Sequence, residues 1–209
     1  MDACCEQKAE EITTLRGKHK TVLVVVLIIN AVLFVVEAGA GLLAHSTALL
    51  ADSLDMLGDS LVYGFSLYVL WRSAVWKAKA ALLKGVIMAV FGAGVLLEVI
   101  YKMISGIIPS AETMGIIGLL VLFGNGICFL LLYRHRSDDL NMRSTWLCSR
   151  NDIIANLSVL VGAIGVKVFD ASWPDILVGA AIAALFLRSA FSVLRESFLE
   201  LRLLKSHAL

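Results

Sequence analysis

Charged residues are scarce in this chain. Only 17% of its 209 residues are Asp, Glu, Lys or Arg, whereas 59% are hydrophobic. Soluble domains contain roughly 45–50% apolar residues, and the mean hydropathy here is +0.87. The polar stretches are too short to form a separate soluble domain. A formal net charge of +1 also argues against a nucleic-acid partner.

Several other absences narrow the class further. The first 20 residues carry charges of both signs and show no cleavage pattern, so no signal peptide is expected. The four cysteines do not suggest a disulfide framework: Cys4 and Cys5 precede the first apolar run, and Cys128 and Cys148 lie inside later ones. Histidine is rare as well, so the loop at 134–143, with only His135, is not a histidine-rich metal sink.

Long apolar runs dominate what remains. A helix needs about 20 apolar residues to cross the hydrocarbon core of a bilayer. Six runs meet this length, and they are Lys20–Leu43, Thr47–Trp71, Ala80–Ile107, Thr113–Tyr133, Ser144–Phe169 and Pro174–Val193. We therefore predict an all-α integral membrane protein with six transmembrane helices over residues 20–193. Residues 1–19 form an N-terminal segment, and residues 194–209 form a short tail with no room for a further domain.

The distribution of Lys and Arg predicts the orientation. Basic residues occur before the first run, between the second and third, between the fourth and fifth, and after the sixth; the alternate loops, at 44–46, 108–112 and 170–173, contain none. By the positive-inside rule, both termini are cytoplasmic. A bacterial inner membrane is the expected location.

Two polar signatures interrupt the apolar runs. The second run contains Asp52, Asp55 and Asp59, and the fifth contains Cys148, Asp152 and Asn156. Residues spaced by three or four share a helix face, so each signature forms one polar stripe. Carboxylates inside a membrane are costly and are read as functional by default.

Together the two stripes predict a site for a divalent cation. Asp55, Asp59, Cys148 and Asp152 supply the O and S ligands that tetrahedral Zn²⁺ accepts, and the thiolate favours softer ions over Mg²⁺ or Ca²⁺. Ligands must lose protons to bind a metal, so the site can exchange metal for protons.

Other polar residues have open roles. Asp52 is expected to lie outside direct coordination, where it caps the site, contacts the gate or carries a proton. Asn156 either forms hydrogen bonds that support the metal ligands or packs against a neighbouring helix. Glu37 and Glu98 are interior hydrogen-bond partners or proton relays, and Cys4 with Cys5 either collects thiophilic metal or is merely a pair of thiols.

Depth within the membrane raises one difficulty. At 1.5 Å per residue, Asp59 lies about 19 Å from Arg72, whereas Cys148 lies about 8 Å from Arg143. The two stripes meet only if one or both helices extend beyond the bilayer.

The stretch from His45 to Asp59, HSTALLADSLDMLGD, resembles the second-helix signature of the cation diffusion facilitators. Cys148 and Asp152 match the His-x-x-x-Asp pattern of the family's fifth helix, with cysteine in place of the usual histidine. Glu37, Glu98 and Asn125 are supporting similarities. The resemblance implies a transporter rather than an enzyme, one that exports metal against protons by alternating access and dimerises.

The departures from the family pattern refine this expectation. Cys148 shifts the predicted cargo towards Zn²⁺ and Cd²⁺ together. Without a C-terminal cytosolic domain, a homodimer would rest on the membrane helices, in contact with lipid. No resident cofactor is expected. Two alternatives stay open: a metal sensor or scaffold that does not transport, and a metal-dependent lipid transferase, although the aspartate pattern of the latter is incomplete here.

Overall fold

The computed structural model describes residues 20–69, 74–133 and 140–206, and six helices account for most of these ranges. They are α1 (Lys20–Ala44), α2 (Thr47–Val69), α3 (Ala74–Ser105), α4 (Ala111–Tyr133), α5 (Leu140–Phe169) and α6 (Trp173–Ser206). Cys4, Cys5, His135 and the last three residues lie outside the described residues. Cys148 lies within α5, but its side chain is not described.

The six predicted runs correspond to the six helices, with differences at their ends. α3 begins six residues earlier than predicted, α5 four residues earlier, and α6 continues to Ser206. Apolar content falls after Val193, but Glu, Arg, Leu and Ser continue the helix because they are tolerated in a solvated helical turn. The region assigned to the tail therefore begins as part of α6.

Five helices are long and apolar enough to cross a membrane: α1, α3, α4, α5 and α6. α2 has 23 residues, which is a spanning length. α2 differs from the other five in composition, because it carries three aspartates within its apolar sequence. The outer faces of the bundle expose large apolar side chains such as Val35, Leu97, Phe123 and Phe191, as expected of a surface solvated by lipid.

α2 is the central helix of the bundle. It packs against α1, α3 and α6, and far less against α5, while α3 pairs with α6 and α4 pairs with α5. Between Ser46 and Asp59 every residue of α2 and its start is buried except Leu50 and Asp55, which are half-buried. The helix that carries three aspartates is thus shielded from lipid by its neighbours over this stretch.

Three short connections lie together at one end of the bundle, which we call the short-loop end. They are residues 45–46, 106–110 and 170–172. The backbone N–H of Ser110 donates to the carbonyl of Ala44, which joins two of these connections directly. Gly106 ends α3 in the left-handed region, with φ of 64°, where glycine carries no steric penalty.

Candidate metal site between α2 and α5

A buried chain of hydrogen bonds connects α4, α5 and α2. The side-chain amide of Asn125 donates to Asn156 Oδ1 over 2.8 Å, and Asn156 Nδ2 donates to Asp52 Oδ2 over 2.6 Å. Asn125 and Asn156 are 1% exposed and Asp52 is fully buried. Asp52 and Asn156 therefore face each other across the α2–α5 contact.

This contact fixes the register of the two antiparallel helices. Moving from Asp52 to Asp55 descends about 4.5 Å along α2, and moving back from Asn156 to Asp152 descends about 6 Å along α5. The next step reaches Asp59 at about 10.5 Å and Cys148 at about 12 Å from the same starting level. Along the helix axes, the backbone positions of the four predicted ligands therefore fall at two nearly matched levels.

The carboxylates differ in their surroundings. Asp59 is buried and Asp55 and Asp152 are half-buried; each of the three makes an interaction within the fold. Among the side chains that the structure describes, which do not include Cys148, no three His, Cys, Asp or Glu groups are close enough together to form a metal site. The three described carboxylates, Asp55, Asp59 and Asp152, therefore do not form a coordination sphere by themselves.

A cleft of about 450 Å³ opens beside Asp55. Asn151, Ala155 and Ser158 of α5 form one wall, and Val178 and Ile182 of α6 form another. The cleft extends towards the short-loop end, since Leu177 is only one turn into α6. Asp55 is half-buried at the wall of this cleft, and Asn151 and Ser158 are its other polar lining residues.

Asn151 was not singled out as a candidate by sequence reasoning. It precedes Asp152 and lines the cleft together with Asp55. Its carboxamide oxygen is a further possible oxygen ligand. Its position between Cys148 and Asp152 in the fifth apolar run could have identified it, but a neutral amide is a weaker indication of a metal site than a thiol or a carboxylate.

Glu37 of α1 lies beside Asp52. It is fully buried, and neither of its carboxyl oxygens has a hydrogen-bond partner among the described residues. Glu37 and Asp52 are neighbouring buried carboxyl groups on α1 and α2. Asp52 thus contacts α5 through Asn156, and Glu37 lies beside it on α1.

The remaining candidates lie elsewhere. Glu98 on α3 is half-buried rather than fully interior, and it does not line the cleft beside Asp55. Cys128 is buried in an apolar cluster with Val26 and Leu132, where it packs as a small core residue. Asn30 Nδ2 donates to its sulfur over 3.9 Å.

The comparison with known families decides the class of protein. A sequence model of the cation efflux transmembrane domain matches residues 23–202. The chain belongs to the cation efflux family. A search among curated proteins found no match.

Membership of the cation efflux family confirms the family predicted from the two signatures. The all-helical membrane architecture is likewise confirmed. The cation efflux protein is therefore a multi-pass membrane transporter of divalent metal cations, and metal ions are its substrates.

Proposed function

We propose that this cation efflux protein exports Zn²⁺ and Cd²⁺ from the cytosol in exchange for protons. The cation is held by Asp55 and Asp59 of α2 and by Cys148 and Asp152 of α5. The observation that supports this most is the hydrogen bond between Asn156 and Asp52, because it sets the two ligand pairs at matched levels.

Access to the site alternates between the two ends of the bundle. The limited packing between α2 and α5 allows them to separate and close. The cleft beside Asp55 supplies the route towards the short-loop end, which we place on the outer side of the membrane. Cation binding draws α5 towards α2 and completes the coordination sphere.

Protons return through the carboxyl groups that the metal leaves. Binding of a divalent cation requires ionised carboxylates and a thiolate, so release of the cation allows the same groups to bind protons. Glu37 and Asp52 are a second pair of neighbouring carboxyl groups. A proton between them would form a hydrogen bond between Glu37 and the Asp52 oxygen that Asn156 does not contact.

The thiolate distinguishes the cargo. Sulfur ligands favour Zn²⁺ and softer ions such as Cd²⁺ over Mg²⁺, Ca²⁺ and Mn²⁺. A homodimer formed through membrane helices fits the wide apolar faces of α3 and α6, where Val90, Phe91 and Phe191 are exposed. Both termini lie in the cytosol, on the side rich in Lys and Arg.

Flux into proteoliposomes tests the proposal. With an imposed proton gradient, the native protein should accumulate Zn²⁺, and Asp59→Asn and Asp152→Asn should lower the initial rate at least about tenfold. Glu112→Gln is the matched control, since Glu112 is an exposed carboxylate in the first turn of α4. Native rates in both site variants would refute the ligand assignment. Tight metal binding without flux in the native protein would favour a sensor.

A further inference from the structure

Asp175 of α6 sits in a dense buried network at the short-loop end. Its Oδ1 accepts from Ser46 Oγ over 2.6 Å and from the Ala48 N–H over 3.1 Å. Its Oδ2 accepts from the Thr47 N–H over 2.8 Å and from Thr47 Oγ1 over 2.7 Å. One carboxylate of α6 therefore accepts from the first two N–H groups of α2, those of Thr47 and Ala48.

Lys102 of α3 completes this network. Its ammonium lies 2.7 Å from Asp175 Oδ2 and also donates to the backbone carbonyl of His45. Lys102 is 1% exposed and Asp175 is fully buried. We call these five residues, Ser46, Thr47, Ala48, Lys102 and Asp175, the Asp175 network; it joins α2, α3 and α6.

The backbones of α2 and α6 also approach very closely at this point. A Cβ atom at Gly179, one turn after Asp175, would lie 2.6 Å from the carbonyl carbon of Thr47. Only glycine allows this approach. Tight packing as well as polar contacts therefore holds the start of α2 against α6.

Opening this network would be costly. It would leave a carboxylate, an ammonium and the first N–H groups of α2 buried without partners. The α2–α5 contact is smaller, because α2 packs far less against α5 than against α6 and a cleft lies beside the hydrogen bond from Asn156 to Asp52. The two contacts of α2 thus differ sharply in how readily they can rearrange.

We propose that Asp175 is a positioning residue for transport, and that the Asp175 network stays closed in both access states as the fixed point of α2. The conformational change then takes place between α2 and α5, while the ends of α2, α3 and α6 remain joined. This inference rests on the proposed metal transport. It assigns a role to a lysine and an aspartate that lie outside the metal site.

The split between rate and affinity is the first test. Asp55 and Asp59 are fixed relative to each other within α2, so Asp175→Asn should change the half-saturating Zn²⁺ concentration little. The maximal rate should fall about tenfold or more, the scale seen when a group that orients a binding residue is lost. An unchanged maximal rate in folded Asp175→Asn would overturn the proposal.

A covalent substitute for the network is the second test. The side chains of Ser46 and Asp175 are in direct contact, with Ser46 Oγ 2.6 Å from Asp175 Oδ1, so a cysteine at each position tests whether a disulfide can replace the polar contact. The variant is Ser46→Cys/Asp175→Cys/Lys102→Met, in which methionine removes the buried charge. Zn²⁺ flux is measured before and after oxidation in proteoliposomes, and mass spectrometry confirms the disulfide. The native protein, carried through the same oxidation and reduction, controls for its own cysteines.

The outcomes separate the possibilities. Slow flux in the reduced variant and faster flux after oxidation would support the proposal that the Asp175 network stays closed during transport. Flux that oxidation abolishes and reduction restores would show that the network opens as a gate, which overturns the proposal. Slow flux in both states would show that joining α2 to α6 does not restore transport, and this result would also overturn the proposal. Failure of the proposed function itself would be visible separately, as no flux in the native protein.

Discussion

The side-chain amide of Asn156 donates a 2.6 Å hydrogen bond to the carboxylate of Asp52. This bond joins the two helices that carry the predicted ligands, and it does so one level above them. Asn156 in turn accepts from Asn125, so that α4 supports the orientation of the Asn156 side chain. The bond therefore controls how α5 is placed against α2.

Asn156→Leu should weaken both the fold and transport. Leucine has a similar volume but leaves Asp52 and Asn125 buried without this partner, which costs about 1–3 kcal/mol. Thermal unfolding in detergent should show a lower midpoint, and Zn²⁺ flux should fall. Ser192→Ala is the control, because the Ser192 hydroxyl donates to exposed Glu196 of its own helix. A native midpoint in Asn156→Leu would contradict the role given to this bond.

Cys148→His should change cargo preference. Replacing a thiolate by imidazole removes the soft ligand while retaining a group that binds Zn²⁺. The ratio of Cd²⁺ to Zn²⁺ transport rates should fall, as measured in the same proteoliposomes with each metal in turn. An unchanged ratio would mean that Cys148 does not set selectivity.

Ser158→Cys should report on the cleft. Ser158 lines the same cavity as Asp55, so a small charged thiol reagent should reach it, and bound Cd²⁺ should slow the labelling. The native protein provides the background from its four cysteines. Labelling that is equally fast with and without Cd²⁺ would show that the cation does not bind in or next to this cleft.

Gly179→Ala should destabilise the short-loop end. The added methyl group would lie 2.6 Å from the Thr47 carbonyl carbon, and overpacking of this kind typically costs about 1–3 kcal/mol. Gly115→Ala is the matched control, since a Cβ there meets nothing within 4 Å. Equal thermal midpoints for the two variants would show that α2 and α6 can separate without penalty.

Sequence reasoning reached the helices more reliably than their contacts. Continuous apolar runs identify six helices because lipid demands them, and the acidic stripe of α2 stands out for the same reason. The end of α6 was placed too early, since the helix continues through residues that are no longer apolar, such as Arg195 and Glu200.

Contacts between helices were beyond the sequence signal. The match in level between Asp55 and Asp152 depends on one side-chain bond between α2 and α5, and spacing along one helix cannot reveal it. Asp175 was missed for a related reason. It follows Pro174 at the start of a helix, where an acidic residue is ordinary, and its partners Thr47 and Lys102 are distant in sequence.

The most direct test of the account is simultaneous measurement of Zn²⁺ uptake and proton movement in proteoliposomes. The native protein should move protons outward as Zn²⁺ enters, and Asp152→Asn should lose both fluxes while Glu112→Gln retains both. Zn²⁺ uptake without proton movement in the native protein, or full coupled flux in Asp152→Asn, would contradict exchange at a site shared by α2 and α5.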